Sequence, residues 1–174
     1  GRELVDDPTQ ALASGEIRNS NGPYLAQRVA DAGAQLVLRE TVSDDADAFL
    51  AALQRALAAG AEVVLSTGAV SMGRYDFVPD ALRSIGASVH FHKVRIRPGK
   101  PLLFASLPGG QLYFGLPGNP ASSAVGLRFF VEPALRALSG LVPERPLQVP
   151  LAASFKKRAP LRFHLKGGLE LDQH

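Results

Sequence analysis

Val63-Val-Leu-Ser-Thr-Gly-Ala-Val-Ser-Met-Gly73 passes without a break from an apolar run to a loop of small residues. Val63 to Leu65 shows no polar alternation, which is the pattern of a strand buried on both faces. Beyond the loop, Val78, Ala81, Leu82 and Ile85 recur at helical spacing. A strand, a glycine loop and a helix in direct succession make up half of a crossover unit, so the stretch points to an α/β protein.

The same alternation extends in both directions. Upstream, Tyr24, Leu25, Val29 and Ala32 mark one face of a helix that Gly33 can end. Gln35 to Leu38 is a second apolar run, expected as another buried strand. Asp44 then precedes a helix carrying Phe49, Leu50, Leu53 and Leu57, with Asp47 in its first turn and Gly60 as its stop. Downstream, Val89 to Val94 reads as a strand, and Leu102–Leu107 with Leu112–Leu116 flank Pro108-Gly-Gly110 as a hairpin. A long helix is expected from Pro120 to about Leu138, bent near Pro133, which has no amide to donate. Residues 1–140 are therefore expected to form a three-layer α/β domain with a mostly parallel sheet and helices on both faces. Residues 141–174 open with Pro143, Pro146 and Pro150, then alternate weakly around Lys156, Lys157, Arg158 and Lys166. They read as a linker and the incomplete start of a β-rich domain, so the chain is expected to be a piece of a larger protein.

Composition narrows the function classes. The 174 residues are 46% hydrophobic and 20% charged, which suits a globular chain and excludes a disordered one. There is no cysteine, so thiolate catalysis and Cys-ligated zinc are excluded and a reducing, cytoplasmic setting is suited. No apolar run approaches the ~20 residues of a membrane span. The net charge of +3 favours anionic ligands. Aromatic residues are 7% with no tryptophan, so phosphate-bearing small molecules rank ahead of nucleic acid.

Three loops could bind such a ligand at strand ends. In Ser66 to Gly73, Gly68 and Gly73 allow close backbone approach, while Thr67 and Ser71 offer hydroxyls; a simple turn would look the same. In Arg95-Ile-Arg-Pro-Gly-Lys-Pro101, strand alternation places Lys93, Arg95 and Arg97 on one side, with Lys100 after the turn. Such a cluster suits an anion, although an exposed, solvated edge would also carry it. In Gly115-Leu-Pro-Gly-Asn-Pro120, Asn119 is a good N-cap and Pro120 a good first helical residue. Asp44 and Asp76 each precede a helix and could cap it, or a carboxylate beside a phosphate site could hold magnesium. Pattern alone gives Glu3 little weight. His90 and His92 share a strand face and, with His164 and His174, lack metal-ligand spacing.

Taken in order, Ile17-Arg-Asn-Ser-Asn21, Val42-Ser-Asp-Asp45, Ser66 to Gly73 with Tyr75-Asp76, Arg97-Pro-Gly-Lys-Pro101 and Gly115-Leu-Pro-Gly-Asn-Pro120 resemble the molybdopterin molybdenumtransferases, the MoeA family. Its animal relative is the C-terminal part of gephyrin. The resemblance implies a fold like that of the MogA-type adenylyltransferases, followed by a β-rich domain. It implies insertion of molybdate into adenylylated molybdopterin (molybdopterin-AMP) with release of AMP, and a requirement for magnesium. The family's acidic positions fall on Glu3, Asp44 and Asp76, the last two as magnesium ligands. Its loop prolines fall on Pro117 and Pro120 and its basic positions on Lys93, Arg97 and Lys100; Thr67, Gly68, Ser71, Gly73, Gly118 and Asn119 of the same loops are expected to bind the substrate with them. A homodimer when full length and a MogA-like partner enzyme are also implied. Gly68-Ala69 departs from the family's two glycines, and Arg74 from an often acidic residue. The alternatives are a MogA-type molybdopterin adenylyltransferase, a CinA-like nucleotide hydrolase and a gephyrin-like interaction scaffold.

Overall fold

In the computed structural model, which describes residues 3–68, 77–156 and 160–170, the chain starts with β1 (Leu4–Val5), β2 (Ile17–Arg18), α1 (Asn21–Asp31) and α2 (Ala46–Ala58). Next come β3 (Val63–Thr67), α3 (Val78–Ser84), β4 (Ser88–Phe91), β5 (Ile96–Arg97), β6 (Leu103–Ser106) and β7 (Leu112–Leu116). The last helical stretch runs through α4 (Pro120–Gly126), a π-helical turn (Leu127–Val131) and α5 (Glu132–Leu138). A short β8 (Arg162–Phe163) follows.

Four strands form the central sheet in the order β3-β7-β6-β4. β3 and β7 are parallel, in register from Val63–Leu112 to Thr67–Leu116. The hairpin β6–β7 and the edge strand β4 add two antiparallel pairings. The pairs β1–β2 and β5–β8 are parallel, so parallel pairing predominates among the described strands.

Strand alternation sorts the core into two halves. Leu103, Ala105 and Tyr113 face Phe49 and Leu53 of α2 and Val78, Ala81 and Leu82 of α3. Phe114 and Leu116, with Leu102 just before β6, face Leu25 of α1 and Leu127, Val131 and Leu135 of the last helix. Helices therefore cover both faces of the sheet, the expected three layers. Each fully buried leucine here contributes roughly 1.5–3 kcal/mol. Tyr113 is fully buried, and its hydroxyl is paired with the Ser66 hydroxyl.

Four details differ from the sequence reading. Gln35 to Leu38 joins no ladder, and Leu36 and Val37 are 49% and 45% exposed. β3 is the end strand of its sheet, and a cleft lined by both segments separates it from 35–38. An apolar run becomes a strand only where a partner edge lies within hydrogen-bonding reach. The cap of α2 is Asp45, whose carboxylate accepts from the Ala48 amide at 2.9 Å, so Asp44 lies one residue outside the helix. The strand expected over Val89–Val94 stops at Phe91, and Ile96–Arg97 forms its own short pairing with β8. The expected irregularity near Pro133 is a π turn just before it, which puts the proline in the first turn of α5, where no intrahelical amide bond is due.

Candidate functional site

β3 and β7 run side by side in the same direction, so the loops that leave their carboxyl ends start together. The Gly68 amide donates to the Leu116 carbonyl at 3.1 Å. Gly118 faces Gly68 closely enough that a Cβ on Gly118 would lie 3.6 Å from the Gly68 Cα. The first and third candidate loops are thus in contact, glycine against glycine.

The second loop, after β5, packs against the helix that follows the third loop. Gly99 is buried with φ +104, a backbone region that favours glycine, and an added Cβ would lie 3.4 Å from the Ser122 carbonyl and 3.6 Å from Val125 Cγ1 of α4. Arg97 to Pro101 therefore packs on the first turns of the helix that Asn119 caps. Asn119 accepts from the Ser122 amide at 3.2 Å, and Pro120 opens the helix, as the sequence predicts.

Around this junction the cations are exposed and the apolar residues between them are covered. Lys93, Arg95, Arg97 and Lys100 are exposed, whereas Ile96 is buried and Val94 half-buried. Arg95 donates to the Pro160 carbonyl at 3.1 Å. Among the described residues, the ion pairs involve none of Lys93, Arg97 and Lys100. β8 braces the stretch from outside: the Arg162 and His164 amides donate to the Arg95 and Arg97 carbonyls, both at 2.9 Å.

Below the loops lies a cleft of about 670 Å³, lined among others by Leu4, Asn19, Asp44, Thr67, Gly68 and Phe77. Asp44 and the β3 loop thus share one space. Glu3 is exposed at the start of β1, where its carbonyl accepts from the Ile17 amide at 2.7 Å. Ser71, Gly73 and Asp76 lie outside the described residues. His90 is a sheet-face residue as read: Nε2 lies 2.8 Å from the Ser106 hydroxyl and its ring stacks on Phe104. The buried Tyr113 phenol supports the β3 loop from beneath through Ser66. Burial pushes its pKa well up, against the opposing effect of the Ser66 hydrogen bond.

The local pattern of Ile17 to Asn21 assigns its residues no role. In the structure, Arg18 donates to the carbonyls of Asp7 (2.6 Å) and Gln10. Asn19 accepts from the Gly22 amide at 3.0 Å and so caps α1. Asn21 donates to the Gly118 carbonyl at 2.7 Å, across 97 residues of sequence. A side-chain contact so distant in sequence leaves no local periodicity to read.

Residues 1–137 match a family model described as "Probable molybdopterin binding domain". The chain belongs to this molybdopterin-binding family. Its relatives include a molybdopterin molybdenumtransferase of Synechococcus elongatus, 44% identical over 158 residues, covering 90% of this chain and 39% of the relative. A second, from Staphylococcus aureus strain COL, is 34% identical over 162 residues, covering 92% of this chain and 38% of the relative. The chain thus spans about two-fifths of the length of the curated relatives it matches. A solved structure of the MoeA molybdopterin biosynthesis protein from Pyrococcus horikosii overlays with a TM-score of 0.67 at 29% identity, covering 79% of this chain and 33% of that one. The MoaB protein of Pyrococcus furiosus, 20% identical with a TM-score of 0.60, shares the fold. Among the described residues of this molybdopterin-binding domain, no helix is long and apolar enough to cross a membrane.

Proposed function

We propose that this chain is the molybdopterin-binding part of a cytoplasmic molybdopterin molybdenumtransferase, which inserts molybdate into adenylylated molybdopterin and releases AMP. The observation that carries the reading is that the three loops are linked through contacts around α4: Gly118 on Gly68, and Gly99 on Ser122 and Val125 of the helix that Asn119 caps. Residues 1–140 supply this domain, and 141–174 a linker and the start of a β-rich one. The full-length protein is a homodimer that receives its substrate from a MogA-like enzyme.

The chemistry brings an oxyanion to a pyrophosphate, and their like charges repel. Fixed cations and oriented amides at the meeting point lower that cost, because their reorganisation is already complete. Lys93, Arg97 and Lys100 supply exposed positive charge, without an ion pair among the described residues, for molybdate or phosphate oxygens. The backbone of Pro117-Gly-Asn-Pro120 and Thr67-Gly68 holds one end of the ligand, and Glu3 directly precedes Leu4, which lines the cleft.

Magnesium typically takes one or two carboxylates together with phosphate oxygens. The described residues contain no group of three carboxylates or histidines that could hold a metal ion, and Asp44, which lines the cleft, fits as a single carboxylate ligand. When bound, the ion would neutralise phosphate charge.

The test supplies full-length protein with adenylylated molybdopterin and molybdate and measures AMP. Molybdate-dependent AMP release is expected, and Asp76→Asn should abolish it while the variant still folds. ATP-dependent adenylylation of molybdopterin without molybdate-dependent AMP release would assign the chain to an adenylyltransferase instead. Normal turnover in Asp76→Asn would remove Asp76 from the mechanism.

A further inference from the structure

We propose that Asn21 is a positioning residue for the ligand loop after β7, an inference that rests on the function proposed above. Asn21 is the first residue of α1, and its side-chain amide donates to the Gly118 carbonyl at 2.7 Å. In a trans peptide unit the C=O and the N–H point in opposite directions. Holding the Gly118 carbonyl toward α1 therefore turns the Asn119 N–H away from α1. That amide donates to no described residue, and both Gly118 and Asn119 are exposed. Asn119 meanwhile uses its side chain to cap α4, so its backbone donor is left for a ligand oxygen.

Asn21 can set this orientation only if α1 itself is fixed, and both ends of α1 are. At the amino end, Asn19 accepts from the Gly22 amide and donates to Asp6 at 2.9 Å. At the other end, Arg28 is 2.6 Å from the buried Glu132 of α5. A donor mounted on a clamped helix holds a loop peptide in one of its two flips, which a solvent-exposed glycine would otherwise leave undecided. The role of the Ile17–Asn21 motif is thus to hold the floor of the site rather than to touch the reacting atoms.

Two variants of the full-length protein separate this role from a structural one. Asn21→Ala removes the donor and should raise the KM for adenylylated molybdopterin about tenfold, the worth of one hydrogen bond to a charged group, with little change in kcat. Asn21→Asp is isosteric but sets a carboxylate against the Gly118 carbonyl, which favours the flipped peptide. It should raise KM at least as much. Its thermal midpoint should not fall, because an acidic side chain in a helix's first turn is favourable. An unchanged KM in both variants, with active wild type, would overturn the role of Asn21 and leave the proposed function standing. A fall in midpoint for Asn21→Asp with KM unchanged would make the contact purely structural. Wild-type protein with no molybdate-dependent AMP release would overturn the function itself, and the role of Asn21 with it.

Discussion

The Glu132 carboxylate, on a side chain only 8% exposed, accepts from Arg28 at 2.6 Å and from Arg128 at 3.0 Å, joining α1 to the last helix. The two arginines are much more open, with side chains 38% and 46% exposed. The asymmetry decides which deletion is worse. Glu132→Gln leaves two guanidiniums that water can reach, and should cost about 1–3 kcal/mol in urea unfolding. The pair Arg28→Ala with Arg128→Ala strands a buried carboxylate and should cost about 3–5 kcal/mol. Equal losses, or the reverse order, would mean that the carboxylate is solvated despite its burial.

Gly126 sits where α4 crosses the sheet. A Cβ there would fall 2.8 Å from Leu116 Cδ2 and 2.9 Å from Leu102 Cδ1, both in fully buried side chains with nowhere to go. Gly126→Ala should gain ~1 kcal/mol of helix propensity but lose ~1–3 kcal/mol to overpacking, for a net destabilisation. Adding Leu116→Val should recover part of the loss. A Gly126→Ala protein more stable than wild type would show that the helix can lift off the sheet at no cost.

The sequence reveals the elements whose signal is periodic and local. The helical spacing of Phe49, Leu53 and Leu57, the hairpin around Pro108 to Gly110 and the cap at Asn119 all appear where the pattern places them. It fails where a choice depends on a distant partner. Leu36 and Val37 have the composition of a buried strand, but they pair with no described strand. Asp44 and Asp45 are chemically equivalent as caps, and only backbone geometry selects Asp45. The three candidate loops could be listed from their glycines and prolines, whereas the contact of Gly68 with Gly118 follows from the β3–β7 pairing and that of Gly99 with Ser122 and Val125 from the packing of its loop on α4. The contacts of Asn21 with Gly118 and of Glu132 with Arg28 lie outside any local signal, since each spans about a hundred positions.

His164 should make the brace on the cationic stretch sensitive to pH. Its ring lies 4.1 Å from that of Phe129, and its amide donates to the Arg97 carbonyl. Burial, with a smaller contribution from Arg162, holds its pKa below the usual 6.5. The unfolded segment therefore binds a proton more readily than the docked one. The brace is at full strength above pH 6.5 and weakens as pH falls through the lowered folded value. After correction for intrinsic exchange rates, the Arg162 and His164 amides should lose protection on acidification, and His164→Phe should remove that dependence. Protection that rises on acidification would contradict the sign.

Two neighbouring carboxylates should separate stability from activity. Asp45 has extended backbone angles, φ −141 and ψ 136, and spends its side chain on the Ala48 amide. Asp45→Ala should cost about 1 kcal/mol of stability, with little change in AMP release. Asp44, one residue earlier, lines the cleft beside Thr67 and Gly68 and does not cap the helix. Asp44→Asn should lower AMP release roughly tenfold or more in a variant that still folds. The opposite pairing, with Asp44→Asn unstable and Asp45→Ala inactive, would exchange the two roles. It would also take Asp44 away from the ligand, because a carboxylate committed to a helix end has its lone pairs aimed along the helix axis and not across the cleft.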